Sequence, residues 1–236
     1  EILTGSIDVS FISDNSSLLR EGLPMGVFYG YKKDGYDANG KEIYKDLSGP
    51  AGTPDGIINQ FDKAIIGDPN PDFIYGLNSN MSYKNFEFTL FFQGSQGNDI
   101  VNVSSIGNTL DYGFGLNMTK EVYNNHWTPT NTNAKYPVIS RNASMRYSDR
   151  LVEDGSFLRL RNIQLMYNVP TQKLGMKWLR HMKVYASGQN LLTFTKYSWW
   201  DPEVNSQGGS NSTAQGIDHY SYPTAKTVTF GIKVGF

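Results

Sequence analysis

The sequence predicts an all-β protein made of antiparallel strands of the kind that form a transmembrane β-barrel. Three observations predict this fold: apolar side chains alternate with polar or small ones, short connections alternate with long ones, and aromatic residues lie near both ends of the predicted strands. Neighbouring side chains of a strand point to opposite faces, so an alternating pattern gives each strand one apolar and one polar face.

The last segment of the chain shows the alternation most clearly. Thr, Gly and Lys side chains occupy every second position from Thr227 onwards. The positions between them are all apolar: Val228, Phe230, Ile232, Val234 and Phe236. We therefore expect a strand over residues 227–236 with one wholly apolar face.

The same alternation predicts five strands further upstream. They cover residues 25–31, 73–82, 86–93, 157–169 and 182–194. Lys84 and Asn85 separate the second from the third, which indicates a tight hairpin. The connection between the last two is longer and basic.

The remaining connections are long and have little periodicity. They cover residues 34–71, 101–155 and 197–223. Connections longer than about 12–15 residues are uncommon in compact domains and are usually functional or disordered. Short connections that alternate with long ones are typical of an outer-membrane barrel, with short periplasmic turns and long extracellular loops. We expect the long loops to contact the substrate and any partner outside the membrane.

The aromatic residues fit two girdles, one at each membrane interface. Because strand direction alternates, one girdle contains Tyr83, Phe86, Tyr167 and Phe236, and the other contains Phe73, Phe92 and Phe194. A soluble β-sandwich is the alternative, because alternation also arises where one face of a sheet packs on a core.

One predicted strand does not fit the barrel directly. Extending the apolar face of residues 157–169 upstream places Arg159 and Arg161 on it. A charged residue at the midplane of the lipid face costs about 2–4 kcal/mol. Either a β-bulge near Asn162 changes which side chains face the lipid, or the two arginines lie above the membrane.

Composition excludes several classes of function. The chain of 236 residues has 21 basic and 22 acidic residues, so its charge gives no overall attraction to nucleic acid. It has no Cys, and therefore neither a disulfide nor a thiolate nucleophile. No apolar run approaches the roughly 18–20 residues of a membrane helix. Known catalytic motifs are missing, so we predict that the chain is not an enzyme.

An oxygen-rich segment over residues 46–62 is a candidate calcium loop. Its potential ligands are Asp46, Asp55, Asn59 and Asp62, with glycines between them for sharp turns. The spacing differs from that of the twelve-residue calcium loop. The alternative is a cluster of Asp, Gly and Pro turns within a long loop. No other cofactor is predicted.

Aromatic residues in the long connections are candidate substrate contacts, because their rings can stack on flat faces of sugars. The candidates are Trp127, Tyr197, Trp199 and Trp200, with Asp201 and Asn205 as polar neighbours. Alternatively, these rings anchor their own loops or pack against a partner protein.

Several segments together resemble one family, the SusC/RagA-type TonB-linked outer-membrane transporters. They are GLPMGVFYGYK at 22–32, IIGDPNPDFIYG at 65–76, FQGSQGND at 92–99, WTP at 127–129, EDGSFLRLRNI at 153–163, SGQNLLTFTKY at 187–197, DPE at 201–203 and the stretch from Tyr222 to Phe236. They follow the family's order and cover nearly the whole chain.

The resemblance implies a 22-stranded barrel closed by an N-terminal plug. It also implies active import of oligosaccharides or peptides across the outer membrane of a Gram-negative bacterium, powered through TonB, with a SusD-type surface lipoprotein as partner. Residues 1–236 would be the C-terminal portion of that barrel, with about six or seven strands, and the plug domain and TonB box would lie outside the chain.

Two positions are interpreted through this resemblance. The family's Asp-rich loop departs here from its usual form between Asp46 and Asp55, which weakens an inherited calcium site. Phe236 resembles the aromatic signal that the barrel-assembly machinery reads, so deleting Phe236 should lower the amount of assembled barrel. A soluble carbohydrate-binding β-sandwich and a surface adhesin domain remain the alternatives.

Overall fold

A computed structural model describes residues 5–8, 15–109, 117–140, 146–176, 178–204, 206 and 215–236. The chain divides into two compact units. The first comprises Glu1–Asn70, Asn98–Asp154 and Tyr197–Tyr222, and the second comprises Pro71–Gly97, Gly155–Lys196 and Pro223–Phe236. The segments predicted as long loops belong almost entirely to the first unit, and the predicted barrel strands from residue 73 onwards belong to the second.

Strands dominate the regular structure of the described residues. In chain order they are β1 (Gly5–Asp8), β2 (Asn15–Leu19), β3 (Val27–Gly30), β4 (Lys33–Tyr36), β5 (Glu42–Tyr44), β6 (Ala64–Gly67), β7 (Phe73–Tyr83), β8 (Phe86–Gln96), β9 (Asp99–Asn102), β10 (Val152–Asp154), β11 (Phe157–Val169), β12 (His181–Thr195), β13 (Ile217–Asp218) and β14 (Thr227–Gly235). The helices are α1 (Ser104–Thr109) and α2 (Lys120–Asn125). Within the ranges given above, no helix is both long enough and apolar enough to cross a membrane.

The second unit is one antiparallel sheet of five long strands in the order β14-β12-β11-β8-β7. Five of the predicted strands are confirmed, and β8 continues to Gln96. The predicted hairpin at Lys84 and Asn85 is also confirmed. Lys84 takes a left-handed conformation with φ of 52°, as tight two-residue turns demand.

One face of this sheet is apolar and exposed. On β14 the exposed fraction is 60% for Val228, 79% for Phe230 and 62% for Ile232. The strand registers place further exposed apolar side chains on the same face: Phe73, Leu77, Met81, Tyr83, Phe86, Leu165, Val184, Leu192 and Phe194. A β-sandwich buries such a face under a second sheet, so this exposure favours the barrel over the sandwich.

The opposite face of the sheet is polar, as the alternation predicts. An ion pair crosses three strands on it: Glu87 Oε1 lies 3.1 Å from Lys183 Nζ and accepts a hydrogen bond of 2.6 Å from Asn168 Nδ2. Polar side chains with hydrogen-bonding capacity continue along the face, as at Asn80, whose Oδ1 accepts a hydrogen bond from Thr89. The composition of this face is therefore compatible with contact with water.

The strand registers order the aromatic residues along the sheet. Phe86 pairs with both Tyr83 and Tyr167. All three residues therefore lie at the edge of the sheet where β7 turns into β8. The connection between β11 and β12 lies at the same edge, because Val169 pairs with Met182. We call this the short-turn edge.

Two of the three residues predicted for the other girdle lie near the opposite edge of the sheet. Phe73 and Phe194 lie close to the opposite edge of the sheet, where Phe73 pairs with Gln96. Phe92 pairs with Leu77 and lies inside the sheet instead. The period of two fixes the face of a residue but not its depth along the strand, because depth depends on register.

A β-bulge explains the arginines of β11. Leu160 pairs with Phe92 and Asn162 with the next residue, Phe91, so Arg161 is the extra residue of the bulge. The bulge reverses the alternation and places Arg159 opposite Gln93, on the polar face. Arg161 donates from Nε to Gln93 Oε1 at 3.0 Å. The first of the two predicted explanations is therefore confirmed.

The first unit contains the segments predicted as irregular loops, and it is folded. It contains three small sheets, ordered β1-β2-β3-β6, β10-β9-β13 and β4-β5. Side chains from distant parts of the chain form its main core: Phe28, Val101, Val103, Tyr147, Leu151 and Ile217. These apolar residues follow no period, so the sequence pattern did not reveal them.

The strand predicted over residues 25–31 is shorter than expected and lies in a different sheet. It is β3, which pairs with β2 and β6 in the first unit. The long sheet of the second unit therefore has five strands among the described residues, where the sequence predicts six or seven.

Candidate functional site

Tyr197 is a buried anchor of the first unit. Its side chain is only 5% exposed and packs with Ile100 and Val204. The phenol donates a hydrogen bond of 2.6 Å to Oδ2 of Asp218, which is itself fully buried. Burial, and then the neighbouring Asp218 carboxylate, raise the pKa of Tyr197 well above its ordinary value. The ring therefore fixes the local fold and leaves little surface for a ligand.

Trp199 and Trp200 form a stacked pair, with ring centres 5.4 Å apart and ring planes at 22°. Trp199 packs against the cluster around Tyr197, whereas Trp200 is 58% exposed. Asp201 is buried, and its Oδ1 accepts a hydrogen bond of 2.9 Å from the Glu203 amide. Of these neighbouring candidates, Trp200 offers the open ring face. Asn205 lies outside the described residues.

Trp127 is placed elsewhere in the first unit, against Gly40. Gly40 has a φ of 76°, and a Cβ there would collide with the Trp127 ring. The indole is 8% exposed and forms one wall of an open groove of about 410 Å³. Tyr36 and Asp37 contribute to the same groove. The structure thus supports a ligand-sized recess beside Trp127.

A second groove, of about 450 Å³, adjoins the same β4–β5 hairpin, and Asp37 lines both grooves. Its other lining residues are Lys41, Glu42, Ile43, Tyr44, Ile58 and Arg146. Sequence reasoning missed this region. The turn Asp37-Ala38-Asn39-Gly40 between two polar-apolar segments was the available signal, because Asp, Asn and Gly favour hairpin turns.

The polar groups of the second groove are held in place. The Arg146 guanidinium lies 4.7 Å from the centre of the Tyr31 ring and donates to the Ile58 carbonyl at 3.1 Å. Glu42 is buried, and its Oε1 lies 2.7 Å from Arg150 Nε. Tyr44 donates a hydrogen bond of 2.9 Å to Glu42, and burial raises the Tyr44 pKa. Such fixed groups suit selective recognition of a polar ligand.

The oxygen-rich segment is organised by its own backbone. Asp62 is fully buried, and its carboxylate accepts hydrogen bonds from the Leu47, Ser48 and Asn59 amides at 2.7, 3.1 and 2.8 Å. Hydrogen bonds from the backbone, that of Asn59 first, lower the Asp62 pKa. Asn59 also caps the 3₁₀ turn that follows it.

The other candidate metal ligands bind backbone groups as well. Asp46 accepts hydrogen bonds from the Asp55 and Gly56 amides at 3.3 and 2.5 Å, and Asp55 accepts one from Ile57 at 2.9 Å. Across the described ranges, no group of three or more His, Cys, Asp or Glu side chains is arranged to hold a metal ion. The contacts favour the turn-cluster alternative, and calcium binding stays a prediction.

An antiparallel sheet with one exposed apolar and one polar face is the arrangement found in transmembrane β-barrel proteins. The solved structures of the RagAB peptide transporter and of the RagAB peptide importer in its open-open state resemble the chain. Each matches with a TM-score of 0.76 over 94% of this chain, at 26% and 25% identity respectively. The match covers 24% of each solved chain.

Sequence relatives identify the family more closely, although no family model matches the chain. TonB-dependent receptor P3 of Formosa agariphila is 39% identical over 96% of this chain, and receptor P26 of the same organism is 35% identical over 77%. TonB-dependent receptor SusC of Bacteroides thetaiotaomicron is 32% identical over 91%.

The chain is therefore a homologue of the SusC/RagA-type TonB-dependent receptors. It spans 24% of the length of receptor P3, 19% of P26 and 20% of SusC. The sequence-based recognition of the family and the prediction of antiparallel barrel strands are both confirmed.

Proposed function

We propose that the chain is part of an outer-membrane transporter that imports oligosaccharides or peptides with energy supplied through TonB. The exposed apolar face of the five-stranded sheet carries the proposal, because Val228, Phe230 and Ile232 face outward where lipid would cover them. Homology to TonB-dependent receptors, and the likeness to a peptide importer, support the same function.

In this proposal residues 1–236 are the C-terminal portion of the barrel. In the proposal the polar face of the sheet lines the lumen, where Asn80, Gln93 and Thr229 offer hydrogen bonds beside the Glu87–Lys183 ion pair. Such a lining suits sugars or neutral peptides. The short turns would face the periplasm, and residues 34–71, 101–155 and 197–223 would be extracellular, as in barrels whose extracellular loops are the long ones.

We assign substrate contact to the first unit. Trp200 has the open ring face of a stacked pair, and Trp127 forms the wall of a groove. Tyr197, Trp199 and Asp201 act by holding this region in shape. An aromatic ring with fixed polar neighbours is the usual composition of a small-molecule site.

The proposed partners follow from the class of transporter. A SusD-type lipoprotein would contact the long extracellular segments, and TonB would act on parts of the transporter outside this chain. Phe236 would serve the barrel-assembly machinery, so that its deletion lowers the amount of heat-modifiable barrel. Outer-membrane lipid would cover the apolar face. The proposed function involves no catalytic step.

Uptake by cells that express the full-length protein tests the proposal. The probes are two pools of fluorescent molecules, one of oligosaccharides and one of short peptides. We expect one pool to accumulate in cells with functional TonB and to remain outside when TonB is deleted. Accumulation that is unchanged by TonB deletion, or a protein found in the soluble fraction, would contradict the proposal.

A further inference from the structure

The short-turn edge of the sheet is basic. The turn residue Lys84 lies at this edge, and the connection between β11 and β12 adds Lys173 and Arg180, both exposed. The sequence has no acidic residue between Asp154 and Asp201. The acidic residue of the sheet near this edge is Glu87, which lies on the polar face and is engaged by Lys183 and Asn168. The side chains of these turns therefore carry positive charge.

Exposed aromatic and apolar side chains accompany these charges. Trp178 stacks on Phe236, with ring centres 5.7 Å apart and ring planes at 23°. Trp178 is 67% exposed, Phe236 75% and Leu174 56%. A Trp ring favours the boundary between hydrocarbon and headgroups, because it combines an apolar body with a polar N–H group.

Described residues at both ends of this connection are anchored. Thr171 and Leu179 are each 5% exposed and anchor its two ends. The Met176 amide donates to the Thr171 carbonyl at 2.9 Å, and the Arg180 amide donates to the Gly235 carbonyl of β14 at 2.9 Å. Anchored backbone ends reduce the entropy that is lost when the connection binds a ligand.

We propose that Lys173, Arg180, Leu174 and Trp178 form a binding surface for anionic phospholipid headgroups, with Phe236 supporting the Trp178 ring. The inference rests on the proposed function, because it requires the apolar face of the sheet to lie in a bilayer. The lipid phosphates pair with the two cations while the acyl chains contact the rings. Each basic side chain near an anionic surface strengthens binding about fivefold.

Fluorescence quenching of Trp178 in the full-length protein tests the surface. The protein is reconstituted in vesicles of phosphatidylcholine with one-fifth phosphatidylglycerol, in which either lipid carries brominated chains. The signal of Trp178 is the difference between the wild type and Trp178→Phe. We expect brominated phosphatidylglycerol to quench Trp178 more strongly than its mole fraction predicts, and Lys173→Gln with Arg180→Gln to reduce that preference at least fivefold.

A matched control removes two exposed lysines of the first unit. Lys45→Gln with Lys120→Gln changes the net charge equally and should leave the lipid preference intact. Quenching by each lipid in proportion to its mole fraction, or a preference that survives Lys173→Gln with Arg180→Gln, would overturn the inference while a heat-modifiable barrel upholds the proposed function. A protein that forms no such barrel, and whose Trp178 neither lipid quenches, would contradict both.

Discussion

Tyr185 on β12 lies directly opposite Gly231 on β14, and its ring occupies the space that a side chain at position 231 would need. His181 covers Gly235 in the same way at the end of the same pair of strands. A ring over a cross-strand glycine shields the backbone and pins the register. Two such contacts fasten β14 to the rest of the sheet.

Gly231→Ala should therefore destabilise the sheet. The added methyl group forces the Tyr185 ring to move, and overpacking of this kind costs about 1–3 kcal/mol. The measurement is the midpoint temperature of heat modification of the full-length protein in detergent. Gly76→Ala is the matched control, because a Cβ there meets the Phe92 carbonyl oxygen at 3.4 Å, an ordinary contact. Equal midpoints for both variants would refute the role assigned to Tyr185.

The hydrogen bond from Tyr197 to Asp218 should stabilise the first unit. Tyr197→Phe removes a donor from a fully buried carboxylate, which still accepts a hydrogen bond of 3.1 Å from the Ser221 amide. The expected loss in the free energy of local opening is about 1–3 kcal/mol. Amide hydrogen exchange at residues 217–221 measures it. Tyr222→Phe makes the same chemical change at a ring that is 91% exposed and should have almost no effect.

Asp62 should make the segment 46–62 sensitive to acid. Its pKa lies below the ordinary value of 3.8 in the folded state, so its stabilising contribution is present above that value and is lost as the pH falls through the lowered pKa. Asp62→Asn should remove the contribution at neutral pH and speed amide exchange of Leu47 and Ser48 about tenfold or more. Exchange that is equally slow in the variant would contradict this.

The calcium prediction is tested by the same exchange measurement. If the segment binds calcium, amide exchange in residues 46–62 should be slower in calcium than in EDTA. Asp55→Asn should abolish this difference in exchange rate. Equal exchange in calcium and EDTA would show that the turn hydrogen bonds alone organise the segment.

Trp200 should contribute to substrate affinity without supporting the fold. Trp200→Ala removes an exposed stacking face, and a lost ring contact of about 0.5–1.5 kcal/mol corresponds to roughly 2–10-fold weaker binding. Titration of the full-length protein with the labelled pool that it imports measures the change. Trp178→Ala removes an indole of similar exposure from the other unit and should leave substrate affinity unchanged. Loss of affinity in both variants would point to a general defect.

The sequence predicts the second unit far better than the first. A period of two is enough to place β7, β8, β11, β12 and β14 and to give their faces, because each strand has an apolar face. For Arg159 and Arg161, the sequence predicts a β-bulge near Asn162 as one of two explanations. The strand register places this bulge at Arg161. The position of a residue along its strand, such as that of Phe92, depends on the pairing with neighbouring strands. The pattern of a single strand therefore cannot predict it.

The fold of the first unit could not be predicted from the sequence pattern, because its structure depends on contacts between distant segments. Phe28 and Ile217 meet in one core although 188 intervening positions separate them in the chain. Of the candidate aromatics, only Trp200 is openly exposed, because Tyr197 and Trp199 belong to a core that residue type alone does not reveal. The second groove was missed because Tyr44, Ile58 and Arg146, which line it, lie far apart in the chain and form no motif.

Spin labelling along β14 tests most directly the claim that the sheet spans a lipid bilayer. The chain has no native Cys, so single substitutions at Val228, Thr229, Phe230, Ile232 and Lys233 can carry nitroxides in a Cys-free full-length protein reconstituted in vesicles. We expect oxygen, which partitions into lipid, to broaden the signals at 228, 230 and 232, and a water-soluble nickel complex to reach 229 and 233. Accessibility that does not alternate, or a nitroxide at 230 that only the nickel complex reaches, would contradict the account.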